Sequence, residues 1–466
     1  MEGLPNFYLE CRMTPPLRVA VVGAGPAGIY AADILTTKDP EASVDIFDRL
    51  PTPYGLIRYG VAPDHPRIKA IIVALHRVLE NERIRFIGNV HVGVDIKVDE
   101  LRHHYDAVIF ATGAERDRSL RIPGEDLARS YGAADFVAFY DSHPDREQTW
   151  DLSQQRHVAV VGVGNVGLDV ARMLARSADE LLATDIPPHV HAALADSTIT
   201  DVHMFARRGP AQAKFTPVEL RELDHSPNVQ VVVAPEGMEF DAESEAALAR
   251  SKSLRMVVDV LSDWAMRDPK PGPHRRIHLH FLENPVEILG SDGTDGAVTG
   301  LRTERQELTG DGNVRGTGEF TDWDVQAVYR AVGYRSEAIE DLPFDTFRLV
   351  LPNEGGRLLD LDGDRMPGLY ATGWVKRGPV GLIGHTKSDA AETIANLLAD
   401  APDLTPAPHR SPADIDALLA GKGLPLTDFA GWDRLDAHEL GAGAPAGRGR
   451  VKVISRAEMT RIAARD

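Results

Sequence analysis

Arg18-Val-Ala-Val-Val-Gly-Ala-Gly-Pro-Ala-Gly-Ile-Tyr-Ala-Ala-Asp33 decides the fold, because an apolar run passes into Gly23-x-Gly25-x-x-Gly28 and then directly into a helix-forming run. A strand turning into a helix in this order is a dinucleotide cradle. Gly23 permits the tight turn, Gly25 lets a pyrophosphate approach the backbone, and Gly28 lets the helix pack on its strand with its positive end toward the phosphates. The next apolar run, Ser43-Val-Asp-Ile-Phe47, ends on Asp48, twenty residues past Gly28. An acid at that spacing accepts hydrogen bonds from an unphosphorylated ribose.

The same logic recurs in His157-Val-Ala-Val-Val-Gly162-Val-Gly164-Asn165-Val166-Gly167. Here the following strand, Ile199-Thr-Asp-Val-His-Met-Phe-Ala206, ends on Arg207-Arg208 instead of an acid. A guanidinium fork offers paired bonds to a phosphate and gains little from a bare ribose. The first cradle therefore fits FAD and the second NADP. Gly167 and Arg207 are forty residues apart, so the second crossover must carry an insertion around residues 179–198.

At 466 residues the chain exceeds one ordinary core and fits two or three domains. The order of elements predicts an α/β protein with two doubly wound, Rossmann-like domains, the NADP domain inserted into the FAD domain. The expected boundaries are 17–118 and 333–466 for FAD, the latter with the C-terminal tail, and 119–332 for NADP. A formal charge of −19 argues against nonspecific binding to nucleic acid or anionic membrane. The single cysteine, Cys11, excludes a disulfide framework, a Cys-x-x-Cys redox pair and a cysteine-ligated cluster, so an organic cofactor must carry any electrons. No metal is expected. With Glu2 and Glu10, no lysine-rich leader and no long apolar run, a cytoplasmic location is the default, and residues 1–12 read as an extension.

Between the cradles, residues 49–67 are dense in Pro and Gly and read as a covering loop. Ile68, Ile71, Ile72, Leu75, Val78 and Leu79 recur at helical spacing after it. Further on, residues 241–266 read as one charged helix, and residues 267–276 as a cationic loop, a candidate docking surface for an acidic partner. Residues 323–333 read as a strand ending at Gly333. A strand, glycine-rich turn and helix start over residues 368–391 is expected to close the first site from its other side. Residues 401–409 read as a linker, followed by two amphipathic segments around Ile415 and Met459.

Six short strings occur in order beside the cradles: Leu50-Pro-Thr-Pro-Tyr-Gly-Leu56, Gly60-Val-Ala-Pro-Asp-His-Pro66, Ile122-Pro-Gly-Glu125, Gly164-Asn-Val166, Arg207-Arg208-Gly209 and Gly373-Trp374. With them, residues 17 to 460 resemble the adrenodoxin-reductase-type NADPH-ferredoxin reductases, particularly the bacterial members. The resemblance implies noncovalent FAD in a domain made from both chain ends, an inserted NADP domain, and electron transfer from NADPH through FAD to a ferredoxin-type iron-sulfur protein. It implies FAD contacts at Gly23, Gly25, Ala27, Asp48, Leu56, Val92, Trp374, Gly381, Leu382 and Ile383. It implies NADP contacts at Gly164, Asn165, Val166, Arg207, Arg208 and Glu219, with Gly381 shared. Asp48 stands where the family more often has glutamate, and Gly167 where alanine is common; both keep the chemistry.

Hydride transfer between stacked rings needs position more than a side-chain acid or base, so no catalytic residue is expected. His65 and Glu222 read as a hydrogen-bonded structural histidine and a surface glutamate, with tuning of flavin or proton traffic as the alternative. An NADPH-oxidising subunit of a glutamate-synthase-like complex shares both cradles but calls for cluster cysteines that Cys11 alone does not provide. A flavin-binding regulatory protein is the alternative from another class.

Overall fold

The computed structural model describes residues 15–268, 270–271, 275–291, 296–379 and 383–464. Cys11 and residues 1–12 lie outside this set. The chain divides into two compact units. One comprises the residues up to Tyr54, Ile72–Gly113 and Ala338–Trp432; the other comprises Gly55–Ile71, Ala114–Glu337 and the chain from Asp433 on.

The first unit is built on a seven-stranded sheet. Its parallel core runs Arg365–Ala371, Ala107–Phe110, Arg18–Val22, Ser43–Asp48, Ile84–Gly88, and two short antiparallel strands extend one edge. All five residues of Arg18–Val22 are buried, as a parallel strand covered on both faces requires. The expected helix over residues 68–79 is broken into Pro66–Lys69 and Ile72–Leu79, and only Leu75 and Leu79 are buried. The break falls where the chain passes from one unit to the other, so a continuous apolar stripe has no single surface to cover.

The second unit holds a six-stranded parallel sheet in the order Ser130–Gly132, Ala327–Arg330, His157–Val161, Asp201–Ala206, Arg275–Phe281, Val229–Val233. One face packs on an antiparallel sheet of Glu283–Gly290, Val298–Leu308 and Val314–Trp323: Val161, Phe205 and Val328 meet Ile288, Val298 and Leu301. The strand expected over residues 323–333 is therefore two elements, the end of Val314–Trp323 and the separate Ala327–Arg330. The insertion in the second crossover contains the helix Pro188–Ala195. The charged helix expected over 241–266 is two helices, because Ser251 ends Ala242–Arg250 and caps Lys252–Met266 by accepting from the Leu254 amide.

This division puts residues 114–118 and 333–337, expected with the FAD domain, in the second unit, and departs more widely in two further places. Residues from Asp433 on, expected with the FAD domain, belong to the second unit, as does the covering loop Gly55–Ile71. Buried charge explains both. Arg58 pairs through both amino groups with Glu439, at 2.8 and 2.5 Å, and both side chains are almost wholly buried. Lys452 Nζ donates to Asp141 at 2.9 Å and to the Arg58 carbonyl at 2.8 Å, while Lys69 pairs with Asp141 and Asp185. Of the two amphipathic C-terminal segments, Pro412–Gly421 buries Ile415 in the first unit and Arg456–Ala463 buries Met459 in the second. The helix Phe429–Gly443 between them had no periodicity by which to expect it.

Candidate functional site

The two cradles are built alike. In the first unit Gly23 has φ +111°, and a Cβ there would lie 2.5 Å from the Ala111 carbonyl oxygen; at Gly28 it would lie 2.0 Å from the Gly23 carbonyl oxygen. Internal packing thus accounts for both glycines. Gly25, which precedes the helix Pro26–Lys38, is different: φ is −74° and a Cβ would meet nothing within 4 Å. Open space at a glycine before a helix N-terminus leaves room for a ligand group to reach the backbone amides. The second unit repeats the pattern, with close contacts at Gly162 (2.4 Å to Ala331 O) and Gly167 (2.3 Å to Gly162 O) and open space at Gly164, before the helix Asn165–Ala175.

Asp48 ends its strand as expected, but its carboxylate also builds the turn, accepting from the Ala24 amide at 2.7 Å and the Leu50 amide at 2.8 Å. Gly373 approaches the same cradle: a Cβ there would lie 2.7 Å from that of Ala27, which sets the short helix Trp374–Arg377 beside the cradle helix. The Gly373 amide donates to Asp389, whose other oxygen pairs with buried Lys376 at 2.8 Å. Val92 is buried in the core of this unit. Leu56 opens the helix Leu56–Tyr59 of the second unit. Gly381 and Leu382 lie outside the described residues, and Ile383 is the first residue of the helix Ile383–Asp400.

In the second unit, Asn165 Oδ1 accepts from the Thr216 amide at 3.2 Å, and Val166 packs against the core. Arg207 is exposed and Arg208 half-buried at the end of Asp201–Ala206. Among the described residues neither guanidinium has a hydrogen-bond or ion-pair partner, unlike most arginines of this chain.

Glu219 belongs to a cluster that the sequence did not reveal. His65 lies with Nε2 3.0 Å from Asp169 and 3.5 Å from Glu219, and with Nδ1 3.1 Å from Glu222. Arg172, buried on the cradle helix, donates to Asp64 at 2.6 and 2.9 Å and to Asp169 at 2.7 Å. Burial opposes charge on His65, but the bond to Asp169 leaves its pKa raised. Burial also raises the Glu219 carboxyl, with the charge of Asp169 adding to it. The cluster ties the covering loop to the second cradle. Its one sequence signal was Asp169 and Arg172 at i, i+3 beyond the glycines, which has no meaning without Asp64 and His65.

The cations of the loop over residues 267–276 are largely engaged within the chain. Arg267 and Lys270 both pair with Asp224, Arg276 pairs with Asp201, and Arg275 donates to the Arg176 and Ser197 carbonyls, with burial lowering its pKa. His274 lies outside the described residues.

Two glycine cradles on parallel sheets, one ending its second strand on an acid and the other on an arginine pair, define an oxidoreductase that binds two different dinucleotides. The family model for pyridine nucleotide-disulphide oxidoreductases matches residues 17–233. NADPH-ferredoxin reductase FprA of Mycobacterium tuberculosis is 42% identical over 463 residues, covering 96% of this chain and 99% of the relative. The mitochondrial NADPH:adrenodoxin oxidoreductase of Arabidopsis thaliana is 38% identical, covering 98% and 97%. The solved structure of M. tuberculosis FprA in complex with NADPH matches with a TM-score of 0.88 at 40% identity, covering 96% of this chain and all of that one. The chain belongs to the family of NADPH-ferredoxin and adrenodoxin reductases.

Proposed function

We propose that this protein is an NADPH-ferredoxin oxidoreductase, taking hydride from NADPH onto noncovalent FAD and delivering electrons to a ferredoxin-type iron-sulfur protein. The observation that carries the reading is the asymmetry between the cradles: Asp48 follows the first, and Arg207 and Arg208, without partners among the described residues, follow the second. FAD, when bound, accepts two electrons together and releases them singly, which a one-electron partner needs. The chain's own residues hold and orient. Gly23, Gly25, Ala27, Asp48, Val92 and Trp374 of the first unit, with Leu56, Gly381, Leu382 and Ile383, are the FAD contacts. Gly164, Asn165, Val166, Arg207, Arg208 and Glu219 are the NADP contacts. The first unit is then the FAD domain and the second the NADP domain, its share of the chain including the loop Gly55–Ile71 and the tail. His65 is read as a hydrogen-bonded histidine that fixes that loop, not as a reacting group. Among the described residues no helix is long and apolar enough to cross a membrane, and the protein is proposed to act in the cytoplasm.

Stopped-flow mixing of the purified yellow protein with NADPH or NADH, followed by a ferredoxin, tests this. Rapid flavin bleaching with NADPH and far slower bleaching with NADH are expected, followed by ferredoxin reduction at turnover rates. A bound flavin that neither nucleotide reduces would support a regulatory role and sink the proposal.

A further inference from the structure

The covering loop Gly55–Ile71 carries the proposed flavin contact Leu56, yet the local chain gives that residue little to hold it. The helix Leu56–Tyr59 has four residues and lies between Gly55, at φ +46°, and Gly60. Its own bonds are few: the Arg58 and Tyr59 amides donate to the Gly55 carbonyl, and the Gly60 and Val61 amides to the Leu56 carbonyl. Helices below about 12–15 residues are marginal in water, and glycine adds freedom at both ends of this one. Bonds from elsewhere in the second unit must set its orientation.

We propose that Lys452 of the C-terminal tail is a positioning residue for this loop: it fixes the Arg58 carbonyl and, through it, the helix that begins at Leu56. The inference rests on Leu56 being a FAD contact. Lys452 Nζ donates to the Arg58 carbonyl at 2.8 Å, to the Asp141 carbonyl at 3.1 Å and to Asp141 Oδ1 at 2.9 Å, so each proton of the ammonium has an acceptor. The side chain is 1% exposed, which keeps water from competing for those oxygens. Asp141 Oδ1 also accepts from Lys69 at 3.1 Å, so one buried carboxylate ties the loop near both of its ends. Glu439 sets the tail in register. Its Oε1 takes Arg58 Nη2 at 2.5 Å and the Val453 amide at 2.9 Å, so the backbone next to Lys452 and the side chain of Arg58 share one oxygen.

Cohesion alone does not call for a lysine here. Replacing buried charges by well-packed apolar side chains is often neutral or stabilising, because the cost of taking the charges out of water disappears with them. What the ammonium adds is direction: it holds one main-chain carbonyl of the loop against a fixed post. Lys69 is the internal comparison. It is nearly as buried and carries the same charge, but among the described residues its ammonium bonds only the carboxylates of Asp141 and Asp185, and so fixes no main-chain group of the helix Leu56–Tyr59.

The test compares FAD-loaded Lys452→Met and Lys69→Met, each short of one buried cation, with the parent protein by amide hydrogen exchange, FAD release and NADPH-ferricyanide kinetics. Lys452→Met should speed exchange at the amides of residues 58–61 by about tenfold, because local opening no longer breaks the bond to the Arg58 carbonyl. It should release FAD faster and lower kcat by about tenfold with KM for NADPH little changed, since misplacing a positioned group by about 1 Å costs that much or more. Lys69→Met should lose comparable thermal stability but speed exchange at residues 68–70 instead. Lys452→Gln, which keeps a donor without the charge, should fall between parent and Lys452→Met, and it carries the comparison with Lys69→Met if the methionine variant does not fold. Exchange at residues 58–61 that is unchanged in the Lys452 variants, or raised equally by Lys69→Met, would overturn the role of Lys452. Loosened amides with FAD release and kcat at parent values would overturn it too, because the turn would then be held without serving the flavin. A parent protein that takes up no FAD would overturn the proposed function and this role with it, an outcome told apart because it precedes any substitution.

Discussion

Replacing Arg207 and Arg208 together by alanine probes the nucleotide preference where the structure isolates it. Neither guanidinium has a partner among the described residues, so the change breaks no internal ion pair and the melting temperature should hold. On the proposed assignment, what is lost is bonding to the 2′-phosphate. A hydrogen bond to a charged group contributes about 1.5–3 kcal/mol, and because Arg207 is exposed and Arg208 half-buried the lower figure applies to each. The sum is about 3 kcal/mol, roughly a 100-fold loss in kcat/KM for NADPH at 1.4 kcal/mol per decade. NADH makes neither bond and should be used as before. Steady-state rates with ferricyanide and each nucleotide measure the ratio, and the single variants should each lose about half the free energy. If the double variant kept its preference for NADPH, or lost both nucleotides equally, the assignment of this pair to the 2′-phosphate would be wrong.

The open and closed glycines make a second prediction: Gly164→Ala should fold with FAD bound yet show a raised KM for NADPH, whereas Gly167→Ala, whose Cβ would lie 2.3 Å from a carbonyl oxygen, should lower Tm. Glu439→Ala strands buried Arg58 and should destabilise the fold by about 3–5 kcal/mol in urea melts, without altering the ratio of NADPH to NADH use. Burial pushes the Asp117 carboxyl up to about 7 despite the Ala134 amide that it accepts from. The unfolded carboxyl titrates near about 4, so the folded chain holds the extra proton between these values and this contribution to stability falls as pH rises through them. Asp117→Asn should therefore gain stability relative to the parent at pH 8 and gain less at pH 5; a gain that did not change with pH would refute the assignment.

Read locally, the sequence determined the two cradles, the acid after one, the arginine pair after the other and the parallel strands that carry them. Each is encoded within a few tens of residues by features with narrow physical meaning, a glycine where a Cβ cannot fit or a charge at a strand end. Only the tertiary structure decided where the covering loop and the tail belong, because Arg58 and Glu439 are 381 residues apart and neither reads as buried until the other is beside it. The same holds for Arg172, which looks like a surface residue on a cradle helix until Asp64 and His65 reach it. It also holds for the residues over 267–276: their charge was legible, the pairing of Arg267 and Lys270 with Asp224 and of Arg276 with Asp201 was not. The histidines of three strands, His157, His203 and His278, were visible one by one; their sharing a face with Asp201 required the parallel register, which sets residues 77 apart on one face of one sheet.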